Sequence, residues 1–447
     1  MVKIRRIVLL FTVLLLAISF AAGAQAQTSA VYVITIKGAI NPVLVDYVKR
    51  GINFAEDNNA QALIIQMDTP GGLDTAMRDI IQLMVNAHVP VVVYVSPSGA
   101  RAASAGVFIT MAAHIAAMAP NTAIGAAHPV SIGGDQTQTQ PTSAEDEKVL
   151  NDAAAYIRSL AANHGRNMDW AEKAVRESVS ATEQEALALN VIDMIAPDLQ
   201  TLVNQLDGRQ VTLLNNQQVT LQTKNAPIIY TSMKTIEKFL YTIADPNIAY
   251  ILMSVATLGI MAEIFNPGLI FPGIVGGICL LLSFYSLGVL PVNYAGLGLI
   301  LLAVGLFVGE FFSTSYGVLT IGGLVSLVAG SMMLFKGSSP VFRINPWLIV
   351  VVCLLITGFL SFLIQRAVKA HRKQATTGRE ELINKTATVR ATLNPEGVVF
   401  YKGERWAAVS ESGEVNVGEE VIIKRIDGLT LYVVKKEAVT AVSKEKR

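Results

Sequence analysis

Charge is scarce in this 447-residue chain. Asp, Glu, Lys and Arg make up 15% of it against 52% hydrophobic residues, and the formal net charge is +1. A balance so near zero gives no electrostatic case for nucleic acid or for a strongly acidic partner. Cysteine is almost absent. The two present, Cys279 and Cys353, both lie inside apolar runs, which argues against a structural disulfide or a zinc site and for packing. The five histidines are scattered and form no His-Glu-x-x-His or other metal-ligand spacing. What is there instead is an apolar chain, long enough for about three domains, part of which belongs in a membrane.

Residues 1–26 read as a secretory signal. Lys3, Arg5 and Arg6 form the positive start, Ile7 to Phe20 the apolar core, and Ala24-Gln-Ala26 the cleavage site. An uncleaved anchor is the alternative, and either one places the domain after residue 26 outside the cytoplasm.

Residues 28–225 alternate strand and helix patterns. Val31–Ile36, Ala62–Met67 and Val91–Val95 are β-rich runs, and helical periodicity follows at 41–58 and 73–88. After Pro97 and Gly99 break the third strand, small residues carry Ser104 into an apolar stretch, Val107 to Met118, that reads as one buried helix. Glu145 to His164 is a strong helix, with Leu150, Ala154, Ile157 and Ala161 along one face. Repeated βα units predict a mainly parallel sheet covered by helices. Gly133 to Thr142, rich in Gln and Thr, reads as a surface loop and a candidate gate. Residues 231–246 read as a helix linking this domain to the membrane.

From 247 to 366 the sequence is almost continuously apolar. Five spans are expected, at 247–265, 269–290, 294–312, 317–335 and 346–365, each near the ~20 residues a crossing needs. Five spans put the C-terminus in the cytoplasm, and Lys369, His371, Arg372 and Lys373 agree with that orientation; Lys336 and Arg343 oppose it. Gly273 and Gly277 have the spacing of a close helix contact, and Glu263 and Glu310 are acids near span ends. Residues 380–440 then show about five short strands separated by turn residues, the pattern of a small all-β, OB-like barrel. Residues 377–447 carry 12 Lys and Arg against 11 Asp and Glu, so the basic footprint of a nucleic-acid binder is missing, and a protein-interaction role is expected.

Ser104 sits where a strand and turn deliver a serine to a helix start, near exposed N–H groups that favour developing negative charge. It is equally a small residue that permits close packing. Asp68-Thr-Pro-Gly-Gly72 follows a strand, so the N–H groups of Gly71 and Gly72, with that of Ala105, are candidate oxyanion donors; turn chemistry alone also accounts for the glycines. Two bases lie downstream, His128 and Lys148, and either has a plain structural reading as well.

Asp68-Thr-Pro-Gly-Gly72, Ser104-Ala-Gly106, Ile124-Gly-Ala-Ala-His-Pro129 and the run from Lys148 to Leu160 together resemble the long form of the NfeD family. The segment from Glu263 to Gly273 resembles that family's membrane region. These are membrane-bound serine proteases of the Clp protease/crotonase superfamily, similar to signal peptide peptidase A. The resemblance implies an α/β Clp/crotonase-like protease domain at 28–225, a helical multi-span membrane domain and an OB-like terminal domain. It also implies a Ser–Lys dyad, Ser104 as nucleophile and Lys148 as base, acting on apolar polypeptide segments. Lysine serves as a base only when burial drops its pKa far below its ordinary ~10.4, so Lys148 is expected to be sheltered beside Leu150, with Glu145, Asp146 and Glu147 turned away. His128 lies 24 residues after Ser104, close to where Clp protease carries its histidine, which keeps a Ser–His arrangement open. The resemblance further implies stomatin-like (prohibitin-homology) membrane partners, a lipid bilayer, a homo-oligomer and no cofactor. A non-proteolytic membrane scaffold is the rival class. Acyl-thioester binding is a second rival, disfavoured by the signal sequence and the lack of a Glu pair near the glycines.

Overall fold

The computed structural model describes residues 29–129, 144–268, 270–313, 317–335, 342–372 and 382–436. The signal reading and the 133–142 loop lie outside the described residues. Strands β1 (Val31–Lys37), β2 (Ala62–Asp68) and β3 (Val91–Val95) are apolar at nearly every position because both sheet faces are covered. Alternate residues serve two cores. Ile34, Ile65 and Val93 join one, while Val33, Ile64 and Val92 join the other.

Helix α1 (Pro42–Asp57) begins at Asn41, whose side chain accepts the Leu44 N–H, and α2 (Asp74–Val85) follows the glycine turn. The stretch read as one helix from Val107 to Met118 is instead helix α3 (Ala105–Met111) and strand β5 (Ile115–Met118). An unbroken apolar run carries no period, so sequence alone does not separate a buried helix from a buried strand. Short strands β4 (Arg101–Ala103), β6 (Ala123–Gly125) and β7 (Ser180–Thr182) form a separate three-stranded sheet. Helices α4 (Ala144–Asn163), α5 (Met168–Arg176), α6 (Glu183–Ala188) and α7 (Leu199–Leu206) intervene with β8 (Met194–Ile195), and a hairpin, β9 (Gln210–Thr212) and β10 (Gln218–Thr220), follows. Strand β11 (Ile228–Tyr230) pairs with β1, so the sheet runs past residue 225. Its order is β11-β1-β2-β3-β5-β8, all neighbours parallel.

Helix α8 (Thr235–Ile243) docks on this domain through the Arg50–Glu237 ion pair at 2.6 Å. Its Tyr241 hydroxyl also donates to the carbonyls of Lys37 and Ala39, at the carboxyl end of β1. Five apolar helices follow at the expected places: α9 (Pro246–Phe265), α10 (Ile270–Val289), α11 (Tyr294–Phe312), α12 (Val318–Met333) and α13 (Pro346–Arg372). The first three are long and apolar enough to cross a membrane, and the apolar stretches of the other two are shorter. Of the Gly273–Gly277 pair only Gly273 faces a neighbouring helix closely, a β-carbon there meeting the Glu263 side chain at 3.1 Å, and the tightest crossings among the described residues use other glycines. A β-carbon on Gly259 would meet Gly276 Cα at 2.9 Å, one on Gly330 would meet the Gly296 carbonyl at 2.8 Å, and one on Gly277 would meet open space. Glu310 accepts the Gly317 and Thr320 N–H groups, so its carboxylate caps the start of α12.

The terminal unit is a closed barrel of β12 (Thr386–Ala391), β13 (Glu396–Tyr401), β14 (Glu404–Ser410), β15 (Glu420–Asp427) and β16 (Thr430–Lys435). Its order is β12-β13-β14-β16-β15, with β14 and β16 parallel. Inward-facing Val389, Val399, Val421, Ile423, Leu431 and Val433 fill it.

Candidate active site

The carboxyl ends of β2 and β3 carry the two segments that meet at Ser104. After β2, Thr69 is buried, and its N–H and carbonyl bond the Arg101 carbonyl and the Ala103 N–H of β4. The Thr69 hydroxyl accepts the Gly71 N–H at 3.0 Å and donates to the Gly71 carbonyl at 3.1 Å, closing a tight turn. Gly71 has φ +119°, and a β-carbon there would stand 2.7 Å from Ser104 Cβ. A β-carbon on Gly72 would strike Ile40, whose backbone bonds the Gly71 carbonyl and the Leu73 N–H. Both glycines are therefore required by contact.

Ser104 itself has φ 52° and ψ −114°, the geometry of the first central residue of a type II′ turn, where glycine is the usual occupant. Holding a serine there costs about 1–3 kcal/mol. The surroundings impose it: the Ser104 N–H donates to the Gly125 carbonyl at 3.2 Å, and its own carbonyl accepts the Val107 N–H at 3.0 Å. The hydroxyl makes no capping bond to α3, although Ser104 is the N-cap residue.

A cavity of about 640 Å³ opens over this point, within the ~300–1,000 Å³ range of ligand clefts. Gly72, Ser104, Ala105 and Lys148 all line it, with Leu73, Met77 and Phe108 among the apolar walls. Ala105 is the first residue of α3, where the N–H has no acceptor within the helix, and the Gly72 N–H has no partner among the described residues. The Gly71 N–H, expected as a third donor, is occupied by the Thr69 hydroxyl.

Lys148 lies in the first turns of α4. It is exposed, as are Glu145 and Glu147. Among the described residues the expected shelter beside Leu150 is absent, because Leu150, Ala153 and Ala154 turn into the core while Lys148 and Val149 face outward. His128 does not line the cavity. Its Nδ1 contacts the Val175 carbonyl at 2.9 Å, within a seam where Ala126 and Ala127 N–H groups bond the carbonyls of Val179 and Ala174. That seam holds the 125–128 segment, and with it the carbonyl that receives the Ser104 N–H.

Two groups of residues went unread in the sequence. Arg78 bridges Asp74 at 2.8 Å and Asp152 at 2.5 Å, tying α2 to the helix of Lys148 across the cavity wall. Asp74 and Arg78 at i, i+4, and Lys148 and Asp152 at the same spacing, were the available signal. Arg166, 4% exposed, donates to the carbonyls of Thr110, Met111 and Ala113 at the end of α3, and pairs with Asp193 at 2.6 Å. It thereby holds the carboxyl end of the helix that Ser104 begins. His114 and His164 pack edge to face beside it. Burial, aided by the Arg166 charge, pushes both imidazoles down to about 4.

Comparison with known proteins finds matches along nearly all of the chain. The NfeD1b N-terminal domain matches residues 30–225, the NfeD integral membrane domain 247–366, and the NfeD-like C-terminal, partner-binding domain 379–435. The membrane-bound protease PH1510 of Pyrococcus horikoshii is 36% identical over 442 residues, spanning 96% of this chain and 98% of the relative. Membrane protein NfeD1b of Bacillus subtilis is 28% identical over 455 residues, spanning 95% and 96%. A solved structure of the 1510-N membrane-bound stomatin-specific protease, a lysine-to-alanine mutant with a substrate peptide, is 38% identical. It covers 48% of this chain and 98% of its own, with a TM-score of 0.45.

Proposed function

The chain belongs to the NfeD family, and from that premise we propose that it is a membrane-anchored serine endopeptidase that cuts apolar polypeptide segments. The observation that carries the proposal is the strained Ser104, which lines one cavity together with Lys148 and with Gly72 and Ala105, whose N–H groups have no partner among the described residues. Strain at a residue so tightly held points to function. The full-length likeness to a membrane-bound protease supports the same reading.

Ser104 Oγ attacks the scissile carbonyl as Lys148 takes its proton. The Gly72 and Ala105 N–H groups hold the developing oxyanion, and the α3 dipole adds to them. Lys148 then returns the proton to the leaving amine, and water hydrolyses the acyl-enzyme. Lys148 is exposed while the cleft is open. An apolar segment filling the cavity excludes water from around it. His128, bonded to the Val175 carbonyl, holds the 125–128 seam in this scheme.

In the same reading the protease domain lies outside the cytoplasm, the five helices in the bilayer and the barrel in the cytoplasm. A stomatin-like membrane protein is the proposed partner, through the barrel, and the assembly is a homo-oligomer. Cleavage of an apolar peptide by the full chain tests the dyad. Ser104→Ala and Lys148→Ala are each expected to lower kcat by on the order of 10⁴-fold or more. Wild-type cleavage by either variant sinks the dyad, and loss of cleavage in His128→Ala alone makes the histidine the base.

A further inference from the structure

Two residues of the membrane region line the Ser104 cavity: Pro291, in the turn between α10 and α11, and Phe342, just before α13. Phe342 is only 2% exposed, so its ring is packed and not a loose side chain over the opening. Both are fixed from the helices. The Asn293 N–H donates to the Leu334 carbonyl at 2.8 Å, joining the Pro291 turn to the end of α12. Asn345 caps α13 through the Trp347 N–H and donates its own N–H to the Asn247 side chain at 2.8 Å, anchoring the Phe342 segment to α9. The protease domain presents the matching edge. The catalytic segments leave the carboxyl ends of the strands, and Tyr241 of α8 docks at the carboxyl end of β1. Ser286 of α10 donates to the last carbonyl of α8 at 2.5 Å, so the same edge is tied to the membrane helices.

We propose that Phe342 and Pro291 form an apolar subsite of the cleft, supplied by the membrane region, that selects a large apolar side chain of a segment presented at the membrane face. This rests on the reading of Ser104 as the nucleophile. The chemistry is that of the walls: Phe342, Pro291, Phe108, Met77 and Leu73 are apolar, the charged Asp74, Arg78, Asp152 and Lys148 line the rest of the cleft, and an apolar side chain gains by leaving water against the former. Because the subsite belongs to the helix ends, the bond chosen lies at a set height above the bilayer.

Peptide selectivity measured on the full chain in detergent or nanodiscs tests this. The probes are apolar peptides in which each leucine is changed in turn to alanine. Wild type is expected to prefer leucine at one position, and Phe342→Ala to erase about tenfold of that preference. Phe342→Trp, which crowds the same space, is expected to shift the preference toward alanine, and Pro291→Ala to act as a weaker Phe342→Ala. A purely structural role for Phe342 lowers overall activity without moving the leucine-to-alanine ratio, so Trp carries the test should the alanine variant fold poorly. Wild-type ratios in both Phe342 variants, or a wild type indifferent to leucine everywhere, overturn the subsite and leave the nucleophile standing. Cleavage unaffected by Ser104→Ala overturns the nucleophile, and the subsite with it.

Discussion

Gly71→Ala tests whether the position of Ser104 is set by contact with the glycine turn. At φ +119° an alanine carries backbone strain of about 1–3 kcal/mol, which should appear as lost stability. The steric effect is separate. The new β-carbon begins 2.7 Å from Ser104 Cβ, where ordinary contact starts at 3.4 Å, so the two segments must part by at least about 0.7 Å, approaching the ~1 Å scale that matters at a reacting centre. Neither yields easily. Gly71 is bonded through its N–H to Thr69 and through its carbonyl to Ile40, and Ser104 is bonded on both sides to Gly125 and Val107. A 1 Å displacement at a reacting centre costs on the order of 10²-fold in rate. Gly99→Ala is the control, because Gly99 has φ +88° with nothing within 4 Å of the added carbon, and so isolates the strain. The assay pairs kcat/KM on an apolar peptide with thermal melting of the full chain. Both variants should melt lower, and only Gly71→Ala should lose activity. A Gly71→Ala enzyme with wild-type kcat/KM, or equal losses in the two variants, refutes the reasoning.

The His114–His164 pair predicts acid lability. Both imidazoles fall to about 4 in the folded chain and titrate near ~6.5 when unfolded, so the unfolded state binds more protons between those values. Stability is then full above about pH 6.5 and declines as pH falls toward 4, by on the order of 3 kcal/mol per histidine at the limit. Denaturant midpoints at pH 7.5 and 4.5 check this, and equal midpoints contradict it. Arg166→Met should cost about 3–5 kcal/mol, since it takes the guanidinium from the carbonyls of Thr110, Met111 and Ala113 and leaves the Asp193 carboxylate without its cation. A melting temperature unchanged from wild type would show that Arg166 does not hold the helix.

Elements whose burial follows a regular rule are legible in the sequence alone. Strands covered on both faces are continuous apolar runs, amphipathic helices keep a 3.6-residue period, and membrane helices are long apolar stretches between turn residues. The placing of Ser104 at a helix start and of Gly72 in a turn after a strand is legible because both are local signals, whereas Lys148 is singled out only by the family resemblance. Features that depend on contact at a distance emerge only in the folded chain. The run from Val107 to Met118 divides into helix and strand because its second half pairs with β3 and β8, which no periodicity within the run records. Gly71 and Gly72 look alike in sequence, yet among the described residues only the Gly72 N–H lacks a partner, because the Thr69 side chain folds back onto Gly71. The side of α4 that faces the core, and not its composition, leaves Lys148 exposed. Phe342 reaches the cavity from 238 residues beyond Ser104, through a membrane region that no local pattern connects to the Ser104 turn.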